Sequence, residues 1–107
     1  MANTFKNAGV AIGTSNTILY TAPSSTTSVI HAIYISNIHA SGNATVEVFV
    51  TDTSAGSDYY VAKNVEVING SVLILDKPIN LEATDILKLT ANAASTIEAF
   101  ASILEIT

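Results

Sequence analysis

Cysteine, tryptophan and arginine are absent from this 107-residue chain, and it holds only two prolines and five glycines. Without cysteine there is neither a disulfide framework nor a thiolate zinc site. The only cationic side chains besides two histidines are Lys6, Lys63, Lys77 and Lys88, scattered singly under a net charge of −5. No cluster is available to neutralise phosphates, so nucleic acid is not an expected partner. The same reasoning sets aside an anionic membrane surface. No apolar run approaches the roughly 20 residues that span a bilayer. The opening MANTFKNAGV shows no basic stretch followed by an apolar one, so no signal peptide is read there. The expectation is a chain made and folded in a cytoplasm.

Charge is scarce. Ionisable Asp, Glu, Lys and Arg make up 12% of the residues while 49% are hydrophobic, and the charged share is about half that of an ordinary globular domain. A domain of this size has a large surface relative to its volume. Four lysines and nine acids cannot cover it. The outside must be Ser, Thr, Asn and exposed apolar atoms, and exposed apolar surface of that kind marks an interaction face. Few charges also leave little repulsion against association. The composition implies a subunit of something larger.

What is present is β-branched. Val, Ile and Thr make about a third of the chain, and such side chains are stiff at χ1 and suit a pleated surface. Short apolar runs separated by turn residues every 8–12 residues or so indicate an all-β sandwich or barrel. The reading is a single antiparallel β-sandwich of about eight strands, jelly-roll-like or immunoglobulin-like, over residues 8–107, preceded by a polar, flexible arm at 1–7. Strands are predicted at Gly9–Gly13, Thr17–Thr21, Ser28–Ile38, Ala44–Thr53, Tyr59–Ile68, Ser71–Leu75, Ile86–Thr90 and Thr96–Glu105. In Ser28–Ile38 both faces are apolar, with Val29, His31, Ile33 and Ile35 assigned to one of them, so the strand is expected to be central and covered on each side. Alternation in Ala44–Thr53 turns Val46, Val48 and Val50 inward and leaves Phe49 outside. In the last strand Ile97, Ala99, Ala101 and Ile103 share a face, with Phe100, Leu104 and Ile106 opposite. Asn69-Gly70 between apolar runs predicts a type I′ hairpin, and Pro78 ends the strand before it or places it on an edge.

No residue set supports catalysis. In VEVFVTDTSAGSDYYVAKNVEV the middle segment carries Asp52, Ser54 and Asp58. Counted as an EF-hand from Asp52, position 6 is Ser57 where Gly is needed and position 12 is Lys63 where Glu is needed. The segment reads as a turn capped by its own short polar side chains. His31 and His39 lie roughly 26 Å apart along an extended chain, too far to share a metal within one chain. His31 reads as a core or interface histidine and His39 as a solvated one near a turn. No serine stands in a G-x-S-x-G elbow, and no Gly-rich phosphate loop occurs. Tyr59-Tyr60 cannot form one sugar platform, because adjacent strand residues point to opposite faces. One ring is expected in the core and one on the surface. No catalytic residue, metal or cofactor is assigned. The surface residues assigned to contacts are Phe5 and Lys6 on the arm, Phe49 and Tyr60 on outward faces, and Phe100 with Leu104 on the last strand.

The opening MANTFKNAGVAIGTSNTILYTAP, the phrase SDYYVAKNVEV, the segment LEATDILKLTA and the ending IEAFASILEIT resemble small virion structural proteins of tailed bacteriophages, particularly marine and cyanobacterial ones. Such relatives often read acidic-Gly-Asp where this chain has Glu82-Ala83-Thr84-Asp85. The resemblance implies a β-sandwich of the virion that coats or joins its parts, as trimers or other symmetric homo-oligomers. Its partners would be other virion proteins, the major capsid protein or neck and tail subunits. Three functions follow from it: a capsid decoration (cement) protein; a neck, tail, baseplate or fibre component; or a receptor- or carbohydrate-binding module.

Overall fold

The computed structural model describes residues 2–107 and holds nine strands. They are β1 (Asn3–Ile12), β2 (Thr17–Thr21), β3 (Thr27–Asn37), β4 (Ala44–Asp52), β5 (Ser57–Val67), β6 (Val72–Leu75), β7 (Ile79–Leu81), β8 (Ile86–Ala91) and β9 (Ile97–Ile106). All pairings are antiparallel. The first sheet runs β1-β9-β3-β6, with β7 also on β3, and the second runs β2-β8-β4-β5. The chain crosses between sheets at every connection except the β4–β5 hairpin and the β6–β7 break. This strand order is that of a jelly roll, not an immunoglobulin domain.

β6 and β7 are two halves of one edge strand. Both lie along β3, β6 against Ile33–Ser36 and β7 against Ser28–Ile30, and Asp76-Lys77-Pro78 separates them. Proline supplies no ladder donor, so the strand breaks there. The count of nine against about eight has this origin. The Asn69-Gly70 expectation is corrected. β5 and β6 belong to different sheets, so the pair makes a crossover, not a hairpin. Only Gly70 has positive φ, at 78°, and the Ser71 amide donates to the Ile68 carbonyl at 3.0 Å. A type I′ turn would need both central residues at positive φ.

The sandwich core is aliphatic. Ile12, Ile30, Ile33, Ile35, Leu87, Leu89, Ile97 and Ile103 are among the fully buried side chains, each contributing on the order of 1.5–3 kcal/mol by leaving water. β9 supplies its inward face as the alternation requires. β3 does not. A bulge places Ile30 opposite Ile103 and Ala32 opposite Ser102, leaving His31 without a partner on β9. One extra residue shifts the phase by half a pleat. Ile30, Ile33 and Ile35 are therefore all inside, while Val29, Ala32 and Tyr34 face out. His31 is exposed, not in the core. β3 is central within its sheet, but its outer side is not covered by this chain.

At the chain start, β1 is hydrogen-bonded sheet from Asn3, in unbroken register with β9 from Asn3–Ile106 to Ile12–Ile97. The segment expected as an arm is thus mostly strand; Met1 lies outside the described residues. β1 docks on the core through Ala8, Val10 and Ile12, beyond that segment.

Two buried polar groups tie the sheets together. Asn37 donates to the carbonyls of Gly42 (2.9 Å) and Val67 (2.8 Å) and accepts from the His39 amide (2.8 Å), fixing the β3–β4 crossover to the end of β5. At the other end Tyr20 of β2 donates to Glu105 of β9 at 2.6 Å and lies 2.7 Å from Ser28 of β3. A phenol has one proton, so Ser28 donates to Tyr20. Lys6 closes the group at 3.6 Å from Glu105.

Candidate assembly surface

Among the described residues, three side chains of metal-ligating type meet at one place. Asp52, Glu82 and Asp85 bring carboxylate oxygens within 4.8 Å of one another. Oxygen sets of this type suit hard cations. Both oxygens of buried Asp85 are already engaged: Oδ1 accepts from the Thr53 amide (3.1 Å) and Oδ2 from the Glu82 amide (3.0 Å). Ser54 Oγ stands 2.9 Å from Asp52 and 3.2 Å from Glu82. The Gly56 amide donates to the Asp52 carbonyl, with Gly56 at φ 71°. The TDTSAGSD segment is a tight turn clasped to the β7–β8 turn by hydrogen bonds. Thr84, in that second turn, sits at φ 71°, a glycine conformation that a β-branched residue seldom adopts. His39 acts locally too, its Nδ1 accepting from the amides of Ser41 (3.0 Å) and Gly42 (2.9 Å).

The two outer faces of the sandwich differ in kind. Side chains alternate along each strand, so the register shows which residues stand in a row. On the second sheet one row reads Ile18, Lys88, Phe49, Tyr60, and the next rows carry Glu47, Asp58 and Glu66. That face is charged. On the first sheet one row reads Gly9, Phe100, Tyr34, Ile74, and another Phe5, Leu104, Val29, Asn80. Ile106 and Ala32 fill the rows beside them. Glu98, in the row Ala11, Glu98, Ser36 and Val72, is the sole acid in the strand rows of this face, and no lysine joins it. Phe5, Tyr34, Ile74 and Phe100 are all exposed. The Phe100 ring extends over Gly9, where an added Cβ would come within 3.2 Å of the ring. Beside it lies a hollow of about 430 Å³ lined by Gly9, Ala11, Tyr34, Ser36, Glu98 and Phe100.

The contact residues assigned from sequence separate onto different surfaces. Phe5 (78% exposed), Phe100 (45%) and half-buried Leu104 share the outer face of the first sheet. Phe5 also stacks on His31, with ring centroids 6.5 Å apart. Lys6 belongs to the polar group around Glu105. Tyr60 is exposed at 51% on the second sheet. Phe49 is corrected: it does lie on the outer side of its strand but is only 3% exposed. Tyr60 packs across it at 5.4 Å, and Lys63 stands 4.8 Å from the Tyr60 ring. Tyr59 is exposed as well, so neither tyrosine is in the core, contrary to the expectation of one. β5 is an edge strand broken in register between Ala62 and Tyr60, and its tyrosine end has neighbours on one side only. Tyr34 and Ile74 were not assigned from sequence. The bulge at His31 concealed the first, and the second lies on a strand whose sheet was unknown.

No protein-family model matches the chain, and no curated protein matches it in sequence. Solved structures do. A chain from the acid-stable capsid of Helicobacter pylori bacteriophage KHP30 superposes with TM-score 0.60 at 10% identity, over 100% of this chain and 89% of that one. A chain from Bacillus endospore appendages, described as a family of disulfide-linked pili, gives 0.57 at 17% identity over 99% and 87%. A chain of infectious bursal disease virus, Gx strain, gives 0.51 at 11% identity, over 99% of this chain but 33% of that one. The likeness is one of fold. The jelly roll shared with capsid and pilus proteins here carries one apolar and one charged outer face.

Proposed function

We propose that this chain is a non-enzymatic virion structural protein, and most concretely a capsid decoration protein that stabilises the head by symmetric protein–protein contacts. One observation carries the reading: the outer face of the first sheet presents Phe5, Tyr34, Ile74 and Phe100 to solvent with almost no charge. Aromatic side chains at the centre of such a patch are the groups that dominate binding. Repetition by symmetry turns many modest contacts into a stable coat. The fold likeness to a phage capsid chain supports the same reading. The disulfide linkage named for the pilus protein is not open to a chain without cysteine.

The test is to add Phe100→Asp protein to particles lacking the chain and count copies by electron microscopy. Phe100 is half in solvent already, so the purified variant is expected to keep its fold. Desolvating a carboxylate at the patch centre is expected to lower affinity tenfold or more, about 1.4 kcal/mol. Full occupancy by the variant would remove the proposed face. In wild-type particles, hundreds of copies indicate the capsid. A few dozen or fewer indicate a neck, tail, baseplate or fibre position.

A further inference from the structure

Sheet edges left open are templates for other strands, and proteins normally guard them with charge, proline, bulges or brevity. Three of the four edges here are guarded. β2 is five residues long and bulged between Ile18 and Tyr20. β5 is irregular at two points and has Asn64 at φ 54°. β6 and β7 are four and three residues long, with Lys77-Pro78 between them. The fourth edge, β1, has no such device. It runs ten residues without a bulge or a proline, and its one lysine is turned to Glu105.

The free groups on this edge can be named. Ala2 and Thr107 exchange both main-chain hydrogen bonds, at 3.2 and 2.9 Å, which sets the phase of the ladder. In an antiparallel pair alternate residues point their N–H and C=O at the neighbour. Thr4, Lys6, Ala8, Val10 and Ile12 therefore face β9. Asn3, Phe5, Asn7, Gly9 and Ala11 aim their main-chain groups at solvent, and no partner for them occurs among the described residues.

We infer that β1 is an assembly edge whose occupant is β1 of a second copy of this chain, antiparallel about a two-fold axis at Asn7. That register sets Asn7 opposite Asn7, Phe5 opposite Gly9 and Asn3 opposite Ala11 of the other copy. All five outward residues then meet outward residues, and no donor or acceptor is left over. Such an interface is self-complementary, as a two-fold requires. Electrostatics do not oppose it, because each Lys6 keeps its own Glu105. The side chains of Phe5, Asn7, Gly9 and Ala11 stand on the outer face of the first sheet, so pairing joins two apolar faces into one continuous surface. Opposite Gly9, Phe5 of the other copy stands beside the Phe100 ring that already lies over that glycine, so the pairing extends the aromatic patch across the two-fold. This self-association is independent of the virion reading and holds wherever the protein works. A strand edge pairs with one partner, so a three-fold assembly would need a different surface.

Sedimentation equilibrium of the purified chain tests the inference, with an expected mass of twice 11.1 kDa. Asn7→Pro removes an outward donor while leaving the β9 ladder intact, and is expected to halve the mass with near-native circular dichroism. Ala8→Pro removes a bond to β9 and is expected to lower the melting temperature instead. A wild-type mass of one chain across the accessible concentrations, or Asn7→Pro protein assembling as wild type does, overturns the inference. Because the chain has no cysteine, Asn7→Cys gives a readout that needs no proline to be tolerated. Paired Cα atoms at about 5.5 Å fit a disulfide. Mild oxidation is expected to cross-link Asn7→Cys at least tenfold faster than Ser54→Cys in the exposed turn, and equal rates overturn the two-fold pairing.

Discussion

Replacing Phe49 by serine is expected to destabilise the folded chain by about 3–5 kcal/mol, the usual cost of removing a buried phenylalanine ring. Strand alternation alone points the opposite way: Phe49 is on the solvent side of β4, and an exposed ring could be cut back with little loss. The structure shows why exposure does not follow from direction. Phe49 stands in a row between Lys88 of β8 and Tyr60 of β5. Tyr60 lies across it at 5.4 Å, and Lys63 stands near the Tyr60 ring. Serine there would open a cavity beneath Tyr60 and remove the aromatic neighbour of its ring. Urea denaturation of the purified domain reads the effect directly. A midpoint within error of wild type would mean that the Tyr60 cover is not held in solution. Phe100→Asp forms the contrast, expected to leave folding nearly intact and act on assembly.

The same residues show what sequence can and cannot reveal. The all-β reading rests on period-2 alternation and β-branched content, both local, and it stands. β2 is found at Thr17–Thr21 as read, and the inner and outer faces of β9 are as alternation assigns them. Failures cluster where one residue breaks the period. The bulge at His31 inverts half of β3, exposing His31 and Tyr34 with no change in composition to announce it. The Asn-Gly pair marks a reversal correctly but not whether the strands it joins share a sheet. β7 is three residues long and the first half of β1 has Phe5 as its one apolar residue, so neither carries a pattern. The carboxylate clasp joins Asp52 to Asp85, and the polar brace joins Tyr20 to Glu105. Such separations are set by strand order, which local periodicity does not encode. The apolar outer face of the first sheet was legible only as a shortage of charge. Locating it required the register.

Truncating Glu105 to alanine is expected to cost about 1–3 kcal/mol, because it leaves the half-buried Tyr20 phenol without its acceptor. Glu105 is 7% exposed and Ser28 is fully buried, so water cannot replace the lost bond freely. Tyr20→Phe tests the network from the other side. It strips Ser28 of the one side-chain partner it has, and is expected to cost about 1–3 kcal/mol. Adding Ser28→Ala to Tyr20→Phe should recover part of that loss, since removing both members of a buried pair leaves nothing unsatisfied. The network also has a signature in pH. Burial pushes the Tyr20 phenol up to about 12, helped by its bond to Glu105 and opposed by the bond from Ser28. An unfolded tyrosine ionises near 10. The folded protein therefore holds a proton that the unfolded chain releases, and the stabilisation is complete below pH 10. It is lost as pH rises from 10 through 12. Wild-type stability should fall across that window more steeply than that of Tyr20→Phe, whose phenylalanine cannot titrate. Parallel curves for the two proteins would show that the Tyr20 phenol is not held neutral between the sheets.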